Sequence, residues 1–139
     1  NFAYKEALRY YKKSLKIRPG NPLVHYNIGN IFFAREEFYK AVKSYKKSIS
    51  LGSYDKDIYF NLANSYYYLN DWNSAEINYQ NALLIDSLNI SVLLNLGNTY
   101  FQKMNYSKAK YYYQKVIKMD STNNIAKQNI VLVDKSLRK

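Results

Sequence analysis

Several residue types that mark chemical or membrane functions are absent or scarce in this chain of 139 residues. There is no cysteine, so disulfides and thiolate chemistry are excluded, and the compartment stays open with the cytoplasm slightly favoured. One histidine, His25, does not make a metal site without further ligands. No apolar run approaches the ~20 residues of a membrane-spanning helix. These absences predict a soluble domain with no metal and no cofactor.

Catalytic constellations are missing as well. The four glycines form no phosphate-binding loop, and no nucleophile has a recognisable base. Asp55 and Asp57 are typical of a helix start, and Glu36 and Glu37 of a solvated turn. We therefore expect no catalytic residue and no enzyme in this segment. Because the sequence starts at Asn1 rather than at methionine, we expect a fragment, and a catalytic domain elsewhere in its parent remains an open alternative.

Several residue types recur along the chain at one fixed spacing, counted in residues. This spacing is the one that separates Ala7 from Ala41. The recurring sets, which we call the repeat pattern, are Ala7, Ala41, Ala75 and Ala109; Tyr11, Tyr45, Tyr79 and Tyr113; Asn27, Asn61, Asn95 and Asn129; and Gly29, Ala63 and Gly97. Chance similarity in a biased composition would not keep several residue types in one register. A fixed period of this length is the signature of a repeat architecture.

Each unit predicts two antiparallel helices. Side chains that can cap free backbone N–H groups stand before the first helix of each unit, at Asn21, Asp55, Asn89 and Asn123, and before two of the second helices, at Asp71 and Asn105. The connections are short enough to allow only antiparallel neighbours. The small residues of the repeat pattern leave room for the paired helices to approach. Phe32, Tyr66 and Tyr100 are expected to fill the space between successive pairs.

The pattern Asn-Leu-Gly-Asn-x-Tyr, followed by an aromatic, Ala and Tyr, resembles the tetratricopeptide repeat. The resemblance covers nearly the whole chain and implies an all-α, right-handed solenoid of antiparallel helix pairs, seven helices with a C-terminal capping helix. The single array (1–139) divides into the second helix of a truncated repeat at 1–21, full repeats at 22–55, 56–89 and 90–123, and the capping helix at 124–139. Val131 stands where a further repeat needs Gly or Ala, which favours a cap.

In this family one stripe of the first helices lines a concave groove. The resemblance implies that the groove is formed by Tyr26, Asn27, Asn30, Phe60, Asn61, Asn64, Tyr68, Leu94, Asn95, Asn98, Gln102 and Asn129. Tyr67, Phe33 and Phe101 are expected at its edge. An asparagine amide both donates and accepts, so a ladder of asparagines can bond any peptide backbone. The ladder is similar to that in the superhelix of O-linked N-acetylglucosamine transferase.

These features predict a protein-interaction scaffold whose groove binds an extended or helical, largely uncharged peptide. The family's clamp for the acidic C-terminal tail of chaperones would need cations where Tyr26, Ser91 and Asn95 stand, so that partner is disfavoured. One alternative is a module of a larger enzyme or assembly with no groove function. Another is binding of nucleic acid or anionic membrane by the basic outer face, since the net charge is +11. The acidic unit 56–89 interrupts that basic face, which ranks this alternative low.

The helix predicted at 2–17 is a second helix without its own first helix. Tyr4, Leu8, Tyr11 and Leu15 are therefore expected to expose part of their packing surface. Further repeats upstream, or end-to-end self-association through these residues, would cover it.

Overall fold

The computed structural model describes residues 2–138, which form eight α-helices and no strand. The helices are α1 (Phe2–Ile17), α2 (Pro22–Ala34), α3 (Phe38–Ser50), α4 (Lys56–Tyr68), α5 (Trp72–Ile85), α6 (Ile90–Gln102), α7 (Tyr106–Met119) and α8 (Asn124–Ser136). Each helix packs mainly on its neighbours in sequence, α2 on α3, α4 on α5 and α6 on α7. This confirms the predicted all-α solenoid of seven helices with a C-terminal capping helix. No helix in the described range combines the length and the apolarity needed to cross a bilayer.

Side-chain caps determine where most of these helices begin. The Asn21 side chain accepts hydrogen bonds from the backbone of Leu23 and Val24, at 3.1 and 3.4 Å. The other predicted caps, at Asp55, Asp71, Asn89, Asn105 and Asn123, each accept a backbone N–H in the same way. Glu37 makes no such bond, so α3 begins without a side-chain cap.

The turn inside each complete repeat contains one residue with left-handed backbone geometry. These residues are Glu36, Asn70 and Met104, with φ of 58°, 59° and 57°. Glycine is the residue that adopts this geometry without strain, and none occupies these positions. The conformation recurs once in every complete repeat, yet the sequence does not mark it.

In the repeats 22–55 and 90–123 a tyrosine of the second helix packs on a glycine of the paired first helix. Tyr45, Tyr79 and Tyr113 are at most 1% exposed. A Cβ added to Gly29 would lie 2.5 Å from Tyr45 Cε1, and one on Gly97 would lie 2.6 Å from Tyr113 Cε1. Gly29 and Gly97 therefore leave room for a tyrosine ring.

Aromatic residues also fill the space between successive repeats, as predicted. Tyr100 is 2% exposed, stacks on Tyr112 and donates a hydrogen bond to Glu76 Oε1 at 2.7 Å. Lys103 pairs with the same carboxylate. Burial raises the pKa of Glu76, but the hydrogen bonds from Lys103 and Tyr100 outweigh it and hold the pKa below the ordinary 4.5. An ionised carboxylate thus links α5 to α6.

The N-terminal end differs from the expectation in one respect. Leu8 is only 8% exposed, because it faces α2 and packs with Val24, Ile28 and Ile31. The prediction that Leu8 belongs to an exposed patch is therefore wrong. Tyr4, Tyr11 and Leu15, the other residues of that predicted patch, are half-buried against the same cluster.

Replacing Gly29 by valine tests the packing of tyrosine on the small residue. The collision with the Tyr45 ring should destabilise the fold by about 1–3 kcal/mol, the usual range for overpacking. Urea denaturation followed by circular dichroism measures the change. Gly20→Val is the control, because a Cβ there would meet only Leu51 Cδ2 at 3.9 Å. Equal losses in the two variants would contradict the packing argument.

Candidate functional site

The twelve predicted groove residues lie on the first helices α2, α4 and α6 and on α8, which occupies the next first-helix position. Ten of them are half-buried, and Tyr68 and Gln102 are exposed. None is fully buried, so together they line an open face of the array.

Amides of neighbouring repeats hydrogen-bond each other along this face. In each pair the Nδ2 of one asparagine donates to the Oδ1 of an asparagine 31 residues earlier. The pairs, donor first, are Asn61–Asn30 at 3.2 Å, Asn95–Asn64 at 3.0 Å and Asn129–Asn98 at 3.0 Å. Asn61, Asn95 and Asn129 of the ladder therefore connect consecutive repeats.

The same acceptor oxygens also receive a hydrogen bond from within their own repeat. The donors are the buried tyrosine hydroxyls, Tyr45 to Asn30 at 2.8 Å, Tyr79 to Asn64 at 2.5 Å and Tyr113 to Asn98 at 2.8 Å. Burial raises the pKa of all three tyrosines well above the ordinary 10. The hydroxyls are therefore protonated at neutral pH and act as donors.

These hydrogen bonds use the Nδ2 atoms of the later three ladder asparagines and leave their Oδ1 atoms free. No bond in the described range involves the Oδ1 atoms of Asn61, Asn95 and Asn129. No buried side-chain polar atom of residues 2–138 lacks a partner, so these free oxygens are accessible to solvent. Asn27, the first asparagine of the ladder, makes no side-chain bond in this range. The face thus offers acceptors at three junctions and a whole amide at Asn27.

A cavity of about 180 Å³ lies at the C-terminal part of this face. It is lined by Tyr67, Asn98, Phe101, Gln102, Tyr113, Asn129 and Leu132. The rings and Leu132 supply apolar surface, whereas the Asn98–Tyr113–Asn129 cluster supplies polar groups. Its volume is close to the ~150 Å³ that accommodates a benzene molecule.

A second cavity, of about 340 Å³, lies where α2 and α4 begin. It is lined by Pro22, Leu23, Tyr26, Ser53, Asp55, Asp57 and Ile58. Two carboxylates face it, and neither cavity is lined by a lysine or arginine. This chemistry suits neutral or cationic groups better than anionic ones. In residues 2–138 no three His, Cys, Asp or Glu side chains are grouped to hold a metal ion.

The three consecutive tyrosines of α4 have three different surroundings. Tyr66 is half-buried and packs against the core between repeats. Tyr68 is 58% exposed and stacks on Phe38, with ring centroids 4.8 Å apart. Tyr67, expected at the groove's edge, lines the 180 Å³ cavity and contacts Trp72 edge-to-face at 5.0 Å.

Sequence reasoning missed two parts of this site. It assigned Tyr45, Tyr79 and Tyr113 to packing without their hydroxyl bonds, although an asparagine stands 15 residues before each. It also omitted Leu132, whose contribution to the cavity depends on how α8 packs on α7. The first omission had a signal in the sequence, and the second had none.

The fold and the site define an α-solenoid of helix pairs with an amide-lined face. Models described as tetratricopeptide repeat match residues 90–123 and 57–89, and one described as TPR repeat matches 3–34 and 29–70. The chain belongs to the tetratricopeptide-repeat family. A search of curated protein sequences found no match.

Solved structures share the fold at low sequence identity. The crystal structure of MamA is 23% identical over 97% of this chain and 83% of that one, with a TM-score of 0.89. The crystal structure of YrrB, a TPR protein with an unusual peptide-binding site, is 18% identical over 94% of this chain and 68% of that one (TM-score 0.88). The first TPR of Spaghetti (RPAP3), bound to the HSP90 peptide SRMEEVD, is 21% identical over 86% and 94% (TM-score 0.79). At these identities the likeness concerns the fold alone.

Asn64→Ala tests the shared acceptor. The substitution should destabilise the array by about 2 kcal/mol, because it leaves the buried Tyr79 hydroxyl unpaired. Tyr79→Phe alone should cost about 1 kcal/mol, and the double variant clearly less than the sum, since removing both partners is nearly neutral. Denaturation of all three variants measures the coupling. Asn73→Ala, at an exposed site on α5, is the control, and strict additivity would contradict the shared bond.

Proposed function

We propose that this chain is a protein-interaction scaffold whose groove holds a largely uncharged segment of a partner, extended or helical. The observation that carries the proposal is the row of accessible amide groups beside the 180 Å³ cavity, whose wall is partly apolar. The amides would bond the partner's backbone, and the cavity would receive one apolar side chain. Membership of the tetratricopeptide-repeat family fits an interaction module of this kind.

The amide ladder is suited to backbone recognition because its geometry exists before a ligand arrives. Asn61, Asn95 and Asn129 are already oriented by their bonds to the preceding repeat. A partner would therefore not have to order these side chains on binding, which lowers the entropic cost of association. Several backbone hydrogen bonds at ~1 kcal/mol each, with partial apolar burial, correspond to micromolar affinity, about −8 kcal/mol.

Charge separates this groove from one built for an acidic peptide. The peptide bound to the TPR of Spaghetti, SRMEEVD, carries three carboxylate side chains. The corresponding face here has no lysine or arginine lining its cavities and has Asp55 and Asp57 at one end. We therefore expect the partner segment to be neutral or weakly basic.

Charge also argues against the alternative of nucleic acid or anionic membrane. Several lysines are neutralised by carboxylates on or next to an adjacent helix, in the pairs Lys56–Asp86, Lys103–Glu76 and Lys110–Asp134. The unit 56–89 carries one lysine against four carboxylates. A polyanion would meet this interruption in the middle of the array. Its binding would fall steeply with salt, whereas groove binding would not.

Substitutions on α8 test the cavity with a closely matched control. Peptides are first selected from a displayed random library, and their affinities are measured by fluorescence anisotropy. Leu132→Arg should weaken binding ~10-fold or more, equivalent to about 1.4 kcal/mol, because it places a charge at the cavity wall. Val131→Arg should change the affinity less than ~2-fold, which is about 0.4 kcal/mol. The two side chains are 50% and 53% exposed, and only Leu132 lines the cavity. If the selected peptides bind both variants with unchanged affinity, the groove proposal is wrong.

Asn27→Ala tests the ladder without disturbing the array. The other ladder asparagines hold repeats together, so their removal would confound binding with stability, whereas Asn27 makes no side-chain bond in the described range. Loss of one backbone bond should weaken a peptide that spans the ladder by about 1 kcal/mol, or ~5-fold. Circular dichroism should show unchanged helicity. Asn73→Ala serves as the control, and equal affinities for both variants would exclude Asn27 from the site.

A further inference from the structure

The 180 Å³ cavity is lined by both aromatic rings and amides, and its rings are held in place by their neighbours. Tyr67 and Phe101 occupy the same position in consecutive repeats. Each of these rings meets a ring of the following helix edge-to-face, Tyr67 on Trp72 at 5.0 Å and Phe101 on Tyr106 at 5.4 Å. The apolar part of the wall is therefore ordered before any ligand arrives.

The amides of the cavity have free hydrogen-bonding atoms of both kinds. Asn98 Oδ1 is occupied, because it accepts both the Tyr113 hydroxyl and Asn129 Nδ2. Asn98 Nδ2 and Asn129 Oδ1 make no bond within residues 2–138, and neither does the Gln102 side chain. Since no buried side-chain polar atom in this range is unpaired, these free atoms are reached by solvent. The wall thus offers an acceptor at Asn129, a donor at Asn98 and both at Gln102.

We propose that this cavity selects a tyrosine side chain of the partner segment, an inference that rests on the groove function proposed above. The ring of that tyrosine contacts Tyr67, Phe101 and Leu132, and its hydroxyl donates a hydrogen bond to Asn129 Oδ1. A hydroxyl also accepts, so Asn98 Nδ2 can bond its oxygen. One six-membered ring suits the volume, because ~150 Å³ accommodates a benzene molecule.

Other side chains complement this wall less well. Phenylalanine, leucine or methionine would cover the free oxygen of Asn129 without giving it a donor, which lowers the affinity. A phosphotyrosine or a carboxylate would find no cation, because no lysine or arginine lines the cavity. The fused rings of tryptophan need more volume than a single ring. A site that bonds a hydroxyl discriminates against the analogue that lacks it, so the wall favours a neutral phenol.

Small analogues of the side chains test this selectivity without a partner peptide. The probes are para-cresol for tyrosine, toluene for phenylalanine, and para-methylanisole, which keeps the ring and the oxygen but has no O–H donor. NMR titration of the whole chain measures their binding. Para-cresol should bind with a Kd of about 1 mM. Toluene and para-methylanisole should bind at least ~5-fold more weakly, because each lacks the hydrogen bond to Asn129.

Variants of the chain locate the binding of para-cresol. Leu132→Arg should weaken it at least ~10-fold, whereas Val131→Arg, equally exposed but outside the cavity, should change it less than ~2-fold. Asn129→Ala removes the acceptor and should reduce the preference for para-cresol over toluene to less than ~2-fold, with Asn73→Ala as the control. Asn129 also bonds Asn98, so circular dichroism checks that the variant stays helical. The comparison of probes on the unaltered chain decides the question independently.

Two results would overturn the proposal. One is para-cresol that binds no more tightly than toluene, and the other is para-cresol binding that Leu132→Arg leaves unchanged. Failure here is distinguishable from failure of the groove proposal. Library peptides that lose affinity with Leu132→Arg but share no tyrosine would support the groove and contradict the selectivity. If no peptide is selected although para-cresol is preferred, the groove proposal is wrong and the selectivity of the cavity stands.

Discussion

The array depends on one amide oxygen in each complete repeat. The Oδ1 atoms of Asn30, Asn64 and Asn98 each accept a tyrosine hydroxyl from the same repeat and an asparagine amide from the next. The rings of Tyr45 and Tyr113 lie on Gly29 and Gly97, which lets these tyrosines reach the oxygen. One oxygen atom in each complete repeat therefore takes part both in the packing within that repeat and in the contact with the next repeat.

These hydrogen bonds matter for stability mainly because losing one would leave a buried polar group without a partner. A buried hydroxyl without a partner costs about 1–3 kcal/mol, which is more than a satisfied hydrogen bond contributes. Shifting one repeat relative to the next would leave an amide unpaired, and moving a tyrosine would strand its hydroxyl. The network thus penalises alternative registers. In doing so it also holds the free amide oxygens of Asn61, Asn95 and Asn129 in a regular row.

Much of the fold could be predicted from the sequence, because the fixed period of the repeat pattern and the helix caps are local signals. The site was predictable only in part. The positions of Asn61 and Asn95 follow from helical geometry, but their hydrogen bonds depend on how repeats stack. Leu8 was misassigned because the expectation did not separate the face that meets α2 from the face that meets no helix. The left-handed turn at Met104 escaped notice because no glycine marks it.

The row of amide pairs has a mechanical consequence. The pairs join consecutive repeats along one face of the array, so any motion that separates the repeats on that face stretches these hydrogen bonds. Asn61, Asn95 and Asn129 donate these hydrogen bonds, and the same three side chains carry the free amide oxygens. Separation of the repeats on this face and a ligand bound to the free oxygens would therefore act on one set of side chains.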